Sequence, residues 1–337
     1  MKKICVIGAG SWGTALAVHL ANLDFKVWMW GRPEDGIELI KSERENRRFL
    51  PGIVIPDNIY PETDPRLALQ DADVLVFSVP SQVLRSVLQN LQPYIPADAF
   101  LVNTAKGLEI STGMRLSQVI EEVLGSSCRD RFAVLSGPSH AEEVSLRLPT
   151  AVTVAAYDQD TAFYIQDIFM DNYFRVYTNP DIAGVELGGA LKNIIALATG
   201  ITYGLGFGDN TAAALMTRGL AEMIRMGAAM GGDPRTFSGL SGIGDLVVTC
   251  GSQHSRNRRA GQLIGQGKKL EETLKTIGMV VEGVHTTRSV HQLAMEMNID
   301  MPITKACYRI LYDGEEPRAA VEKLMKRRRK HEVEEVT

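Results

Sequence analysis

Three glycines near the start of the chain, Gly8, Gly10 and Gly13, stand in the spacing G-x-G-x-x-G. They follow an apolar, branched run from Ile4 to Ile7 and precede Thr14-Ala15-Leu16-Ala17, which reads as a helix under way. That arrangement suits the pyrophosphate of a dinucleotide. Gly8 allows a tight turn, Gly10 has no side chain to hold phosphates off the backbone, and Gly13 lets the helix pack close to the strand. The helix N-terminus then turns free N–H groups toward the anion. A second strand, Lys26 to Trp30, ends at Gly31-Arg32. In NAD-binding folds an Asp or Glu roughly 20 residues past the glycines commonly holds the ribose 2′-hydroxyl. No acid stands at this strand end. Arg32 is available instead, and a guanidinium can pair with a 2′-phosphate. The cofactor reading is therefore NADP(H), with NAD(H) also possible.

Composition narrows the classes. The chain has 337 residues, enough for two domains. Its net charge of -4 gives no global attraction to nucleic acid or to an anionic membrane. Cys5, Cys128, Cys250 and Cys307 are far apart in sequence and form no C-x-x-C pair. That usage fits a reducing, cytoplasmic compartment, with neither a disulfide framework nor a metal site. His254 and His291 have no metal-ligand spacing and read as surface or satisfied residues. Met1-Lys2-Lys3 followed by apolar residues outlines a signal peptide, but the glycines interrupt the continuous run such a segment needs. Leu187 to Ile201 is apolar yet contains Lys192 and Asn193, and it falls short of the roughly 20 residues of a span. It reads as a buried helix, with no stable membrane insertion.

These residues need a scaffold. Pro33 to Arg48 reads as a charged helix, and Phe49-Leu50-Pro51-Gly52 with the prolines beyond as an irregular connector. Strands are predicted at Ala72–Val79, Ala99–Thr104, Phe132–Leu135, Ala151–Ala155 and Tyr173–Tyr177. A helix with Val83, Leu84, Val87, Leu88 and Leu91 on one face follows the first of these, and Ser111 reads as the cap of a helix running to Leu124. Alternating strands and helices give an α/β, doubly wound domain with a mostly parallel sheet over residues 1–180. After Asn179-Pro180-Asp181 no strand pattern remains. Ala183–Thr199 and Thr211–Met230 read as two long helices packed together. Shorter helices are predicted at Arg259–Gly265, Leu270–Thr276, Thr286–Met297, Pro302–Leu311 and Pro317–Met325. Residues 181–337 thus read as an all-α domain. The basic run from Lys326 to Lys330 reads as a solvated helix end or frayed tail rather than a nucleic-acid arm.

Seven motifs occur in order: Gly-Ala-Gly-Ser-Trp-Gly-Thr-Ala (8–15), Asn-Thr-Ala-Lys-Gly-Leu-Glu (103–109), Ser-Gly-Pro-Ser (136–139), Glu-Leu-Gly-Gly-Ala-Leu-Lys-Asn (186–193), Gly-Leu-Ser-Gly-Ile-Gly-Asp-Leu (239–246), Ser-Arg-Asn-Arg-Arg (255–259) and Val-Val-Glu-Gly (280–283). Together they resemble the bacterial-type NAD(P)-dependent glycerol-3-phosphate dehydrogenases, from about Lys3 to Arg329. The resemblance implies a Rossmann domain, a helical domain and an active site between them. It implies interconversion of dihydroxyacetone phosphate and sn-glycerol 3-phosphate, the latter supplied to phospholipid synthesis. By position in the motifs, Lys192 corresponds to the proton-transferring lysine. Ser11, Trp12, Arg32, Lys106, Ala141, Arg256, Val280 and Glu282 match cofactor contacts. Lys106, Gly137, Ser139, Lys192, Asp245, Ser255, Arg256 and Asn257 match substrate contacts. Trp12 replaces another aromatic, Ser139 a Thr and Arg32 a His found in other members.

The chemistry gives these residue types a reason. A phosphate wants a donor-rich cradle, which Ser255, Arg256, Asn257 and a helix N-terminus can supply. A carbonyl taking hydride wants a proton at its oxygen, which a lysine can give or take back. A free lysine, with pKa about 10.4, is a poor base near neutrality, and burial with a second cation nearby corrects that. Lys106 is expected near Lys192 for this purpose. Asp245 is expected either to pair with the lysine or to bind a substrate hydroxyl. The rivals are a two-domain dehydrogenase for a hydroxy acid or acyl thioester, and a non-catalytic NADP(H) sensor. The apolar character of the helical domain suggests a homodimer.

Overall fold

The structure, a computed structural model, describes residues 2–329 and 331–332. The basic run ending at Lys330 and the acids after it therefore lie partly outside the described residues. The chain divides into two compact units. Residues 1–105 with 116–182 form one, and residues 106–115 with 183–337 the other.

The first unit is built on an eight-stranded sheet. Its elements are β1 (Lys3–Ile7), α1 (Ser11–Ala21), β2 (Lys26–Trp30), α2 (Ile37–Glu43), β3 (Glu45–Asn46), β4 (Leu50–Val54), β5 (Ile59–Glu62), α3 (Pro65–Leu69), β6 (Val74–Phe77), α4 (Leu84–Leu91), β7 (Phe100–Asn103), α5 (Leu116–Leu124), β8 (Phe132–Ser136), α6 (Ala141–Ser145), β9 (Thr150–Ala156), α7 (Gln159–Phe169) and β10 (Phe174–Asn179). The sheet order is β10-β9-β8-β7-β6-β1-β2-β5, and only β8 and β9 pair antiparallel. β1 lies between β2 and β6, so the strand order reverses at the C-terminal end of β1, where doubly wound sheets bind ligands. β6, Val-Leu-Val-Phe, is fully buried, as a strand covered on both faces must be.

Three local expectations fail for physical reasons. The helix expected over 33–48 is cut to α2 by Gly36 at φ +83° and Arg44 at φ +54°. The connector beyond it contains β4, paired with β3, and β5, which joins the main sheet. Pro61 masks β5 in the sequence, yet a sheet edge tolerates a residue with no N–H. Ser111 caps nothing. Gly113 takes φ +70°, Leu108 bridges to Arg115, and the helix starts only at Leu116.

The second unit contains α8 (Ile182–Gly204), α9 (Asp209–Ala229), α10 (Asp245–Gly251), α11 (Arg256–Gly265), α12 (Leu270–Ile277), α13 (Glu282–Glu296), α14 (Pro302–Tyr312) and α15 (Pro317–Met325). α8 is its axis. It is long and apolar enough to cross a membrane, but 94% of the apolar window is buried within the molecule. Close approach requires small residues there. A Cβ on Gly200 would come within 2.1 Å of the Arg258 carbonyl, and one on Gly261 within 2.1 Å of the Leu197 carbonyl, so α8 and α11 cross backbone to backbone. Leu187, Leu191, Ile194 and Ile195 of α8 pack with Met223, Met226, Phe237 and Leu246 in the core beneath.

Candidate active site

The glycine loop leaves β1 where the strand order reverses. Gly8 adopts φ +113°, and a Cβ there would lie 2.9 Å from the Ser78 carbonyl just after β6. Its N–H donates to the Trp30 carbonyl at 2.8 Å. A Cβ on Gly13 would fall 2.0 Å from the Gly8 carbonyl, so only glycine lets α1 start this close to its strand. Around the Cβ position of Gly10 no described atom beyond its own chain neighbours lies within 4 Å. That open side faces a helix start with no side-chain cap and no acid in its first turn. Unclaimed N–H groups, an open approach and no negative charge are what a pyrophosphate needs. Ser11 and Trp12 are half-buried at this helix start, with Trp12 packed against the buried cluster of Ala15, Leu50 and Ala141. These residues fit a dinucleotide.

Gly137 follows β8 with φ +144°, and a Cβ would meet Val152 Cα at 2.9 Å. Ser139 Oγ donates to the Gly137 carbonyl at 3.0 Å, and Ala141 opens α6. Arg32 follows β2, but it is not alone. The Asp35 carboxylate accepts from Arg32 N (3.0 Å), Nε (3.2 Å) and Nη2 (3.1 Å). The reading that no acid stands at this strand end is thus corrected: a turn over Pro33–Asp35 folds one back to it. Partial burial pushes the Asp35 carboxyl up, but the bonds from Arg32 outweigh it and hold it below the usual carboxylate range.

In the second unit, one carboxylate gathers two lysines. Asp245 Oδ2 lies 2.6 Å from Lys106 Nζ, and Oδ1 lies 2.8 Å from Lys192 Nζ. The Asp245 and Lys192 side chains are 2% and 7% exposed. Lys192 Nζ also donates to Thr249 Oγ1 at 2.5 Å, and that hydroxyl donates to the Asp245 carbonyl at 2.6 Å. Backbone packing sets this up. A Cβ on Gly188 would come within 2.5 Å of the Ser241 carbonyl. Gly188 lies one helical turn before Lys192, and Ser241 sits in a π-helical turn, Leu240–Gly244, that delivers Asp245. Burial is the main influence on Lys192 and lowers its pKa. Asp245 opposes, Lys106 reinforces, and the result is about 8. Burial would raise the Asp245 carboxyl, but the two lysines overcome it and hold it low.

The 255–257 turn is also in this unit. Ser255 Oγ accepts from Arg258 N and caps α11. Asn257 is buried, and its amide is committed: Oδ1 accepts from Gly283 N at 2.8 Å and Nδ2 donates to Asn193 Oδ1 at 2.9 Å. It ties α8, α11 and α13 together beside Lys192. Arg256 is half-buried at the start of α11. Val280 is exposed, and Glu282 is half-buried at the start of α13. The fold therefore brings Lys106, Lys192 and Asp245 onto one cluster and bonds Asn257 to Asn193, the chain neighbour of Lys192, while Ser255 serves as a cap.

Sequence reasoning missed Thr249, Asn193 and the Arg115–Glu186 pair. Thr249 carried one signal, its i+4 spacing from Asp245, which puts both on one helical face. Arg115 Nη1 meets Glu186 Oε2 at 2.8 Å with side chains 13% and 3% exposed. Glu186 is on α8, so the 106–115 excursion binds buried carboxylates of its unit at both ends. Among the described residues no three His, Cys, Asp or Glu side chains are placed to share a metal ion.

Residues 3–162 match the family model for the NAD-dependent glycerol-3-phosphate dehydrogenase N-terminus, and residues 181–322 the model for its C-terminus. A glycerol-3-phosphate dehydrogenase [NAD(P)+] of Syntrophomonas wolfei is 64% identical over 336 residues, covering 100% of this chain and 98% of that one. The Moorella thermoacetica protein of the same name is 57% identical, covering 99% and 98%. The crystal structure of glycerol-3-phosphate dehydrogenase from Coxiella burnetii superposes with a TM-score of 0.92 at 39% identity, covering 97% of this chain and 99% of that one.

Proposed function

The chain belongs to the NAD-dependent glycerol-3-phosphate dehydrogenase family, and from that premise we propose which of its residues carry the reaction. It is an NAD(P)-dependent oxidoreductase that interconverts dihydroxyacetone phosphate and sn-glycerol 3-phosphate. Bound nicotinamide supplies the hydride chemistry. The residues of this chain handle the proton, the phosphate and the orientation.

Lys192 moves the proton. In glycerol phosphate oxidation its neutral amine takes the hydroxyl proton as the carbon gives up hydride. In the reverse direction its ammonium returns that proton to the carbonyl oxygen. Asp245 and Thr249 accept two of the ammonium's N–H groups, which aims the third at a substrate oxygen. Lys106 adds a second positive charge that favours the neutral amine and stabilises oxyanion character at the substrate. The observation that carries this reading is the single carboxylate of Asp245 holding both ammonium groups, at 2.6 and 2.8 Å.

Arg256, the Ser255 O–H and the second Nδ2 N–H of Asn257 serve the phosphate end, since Ser255 Oγ only accepts in its cap and Asn257 Nδ2 spends one N–H on Asn193, with Gly137 and Ser139 as further substrate contacts. The pyrophosphate rests on Gly8, Gly10, Ser11, Trp12 and Gly13. Arg32 reads the 2′ position, and Lys106, Ala141, Arg256, Val280 and Glu282 complete the cofactor contacts. The enzyme works in the cytoplasm as a homodimer, without inserting in a membrane or binding nucleic acid, and supplies glycerol 3-phosphate to phospholipid synthesis.

The test follows nicotinamide absorbance with and without dihydroxyacetone phosphate, in the native protein and in Lys192→Ala. The variant should lose turnover by a factor of about 10²–10⁴ while binding NADPH as before. Native turnover in Lys192→Ala would remove that residue from the mechanism.

A further inference from the structure

The end of β2 holds a charge that a lone Arg32 does not account for. The Asp35 carboxylate comes back to the backbone N–H of Arg32 at 3.0 Å and takes the guanidinium on both oxygens. An acid at this end of the second strand is placed to accept a ribose 2′-hydroxyl. Two contacts put the corner beside the glycine loop. Gly8 N donates to the Trp30 carbonyl, and a Cβ on Gly31 would lie 3.4 Å from Ala9 Cβ. Two more charges stand near: Glu34, which is exposed, and Arg48, whose Nη1 donates to the Glu34 carbonyl.

We propose that Asp35 is a specificity-determining residue, accepting the 2′-hydroxyl of NADH and opposing the 2′-phosphate of NADPH. The Arg32–Asp35 pair, rather than Arg32 alone, then sets the ratio of the two cofactors. This rests on the reading that Arg32 faces the 2′ position. The pair is open to water, with side chains 63% and 27% exposed, so little holds it closed. A 2′-phosphate carries more charge than a carboxylate and draws the guanidinium to itself. Asp35 is then left as a like charge beside the phosphate. A 2′-hydroxyl demands no such exchange. The carboxylate keeps Arg32 and uses a spare lone pair for the hydroxyl.

The test compares native protein, Asp35→Asn and Arg32→Ala by calorimetric titration with 2′,5′-ADP and with 5′-ADP, and by fluorescence titration with NADPH and NADH. Asp35→Asn should tighten 2′,5′-ADP and NADPH by about tenfold and weaken NADH several-fold, since a charged hydrogen bond and a like-charge contact each change sides. Arg32→Ala should weaken 2′,5′-ADP by a similar factor. If Arg32→Ala has its effect while Asp35→Asn leaves the NADPH-to-NADH affinity ratio unchanged, the proposal falls and the Arg32 reading stands. If neither variant moves any affinity, the corner does not face the 2′ position and both fall. Both side chains are at the surface, and unchanged melting curves check that the variants fold.

Discussion

Lys192 Nζ stands 2.8 Å from Asp245 Oδ1, and neither side chain reaches water appreciably. An isolated ion pair in such a place would keep the lysine protonated. Here Asp245 is shared, because Lys106 occupies its other oxygen at 2.6 Å. One negative charge among two positive ones leaves the cluster cationic, and burial then decides against the Lys192 ammonium. The arrangement makes an amine that can both give and take a proton near neutral pH.

That balance predicts opposite pH limbs for the two directions. With Lys192 at about 8, alcohol oxidation requires the neutral amine, so kcat should rise with pH and level off above about 8. Ketone reduction requires the ammonium, so kcat should hold below about 8 and fall above it. The sign follows from a lysine pKa lowered from its ordinary value: the acid form is lost early as pH rises. Profiles recorded in both directions with saturating substrate would check it. Limbs that run the same way would show that another group titrates.

Replacing Asp245 with Asn should move those limbs further. Asp245 is the group that raises Lys192 against burial, so its loss lowers the lysine again, and both limbs should shift to lower pH. Stability should drop by on the order of 3 kcal/mol, because two ammonium groups lose their common counter-charge. Urea unfolding reads the second effect independently of activity. A limb that stays in place would mean that the carboxylate does not govern the lysine.

Much of the scaffold was legible because its signals are local. The G-x-G-x-x-G run, the apolar β6 and the long α8 all declare themselves by spacing or hydrophobicity. β5 did not, since Pro61 reads against a strand unless one knows that β5 ends the sheet. The acid at the end of β2 was missed because a turn, not the strand, brings Asp35 back to Arg32. Within the site, the residue types were readable but their partners were not. Nothing local in 106–115 says that Arg115 will meet Glu186, 71 residues away. Thr249 could have been picked out only by spacing from Asp245.

Gly261→Ala separates helix propensity from packing. In an ordinary helix interior, Ala gains about 1 kcal/mol over Gly. At this crossing a Cβ would sit 2.1 Å from the Leu197 carbonyl and 2.9 Å from the Ile201 amide nitrogen. Neither atom belongs to a flexible side chain, so α11 must move off α8, and overpacking of this kind costs roughly 1–3 kcal/mol. The packing term should win, lowering the urea midpoint. Since Asn257 lies on α11 and Asn193 on α8, the substrate KM should rise as well. A raised midpoint would show that the two helices separate without penalty.

Arg115→Met tests whether the 106–115 excursion matters to Lys106 at a distance. Arg115 is not one of the residues to which the reaction is assigned. It reaches Glu186 on α8, the helix that carries Lys192, and its backbone bridges to Leu108, two residues from Lys106. Taking away the guanidinium that neutralises a carboxylate 3% exposed should cost about 3 kcal/mol of stability. Adding Glu186→Gln to that variant should recover much of the loss, since no buried charge then remains at the pair. Positioning of Lys106 is a separate quantity. If the pair also fixes that residue, the double variant should recover stability yet keep a raised KM for dihydroxyacetone phosphate, while Arg115→Lys, which restores a cation, should restore both. A double variant with native stability and native KM would confine the Arg115–Glu186 pair to holding the fold.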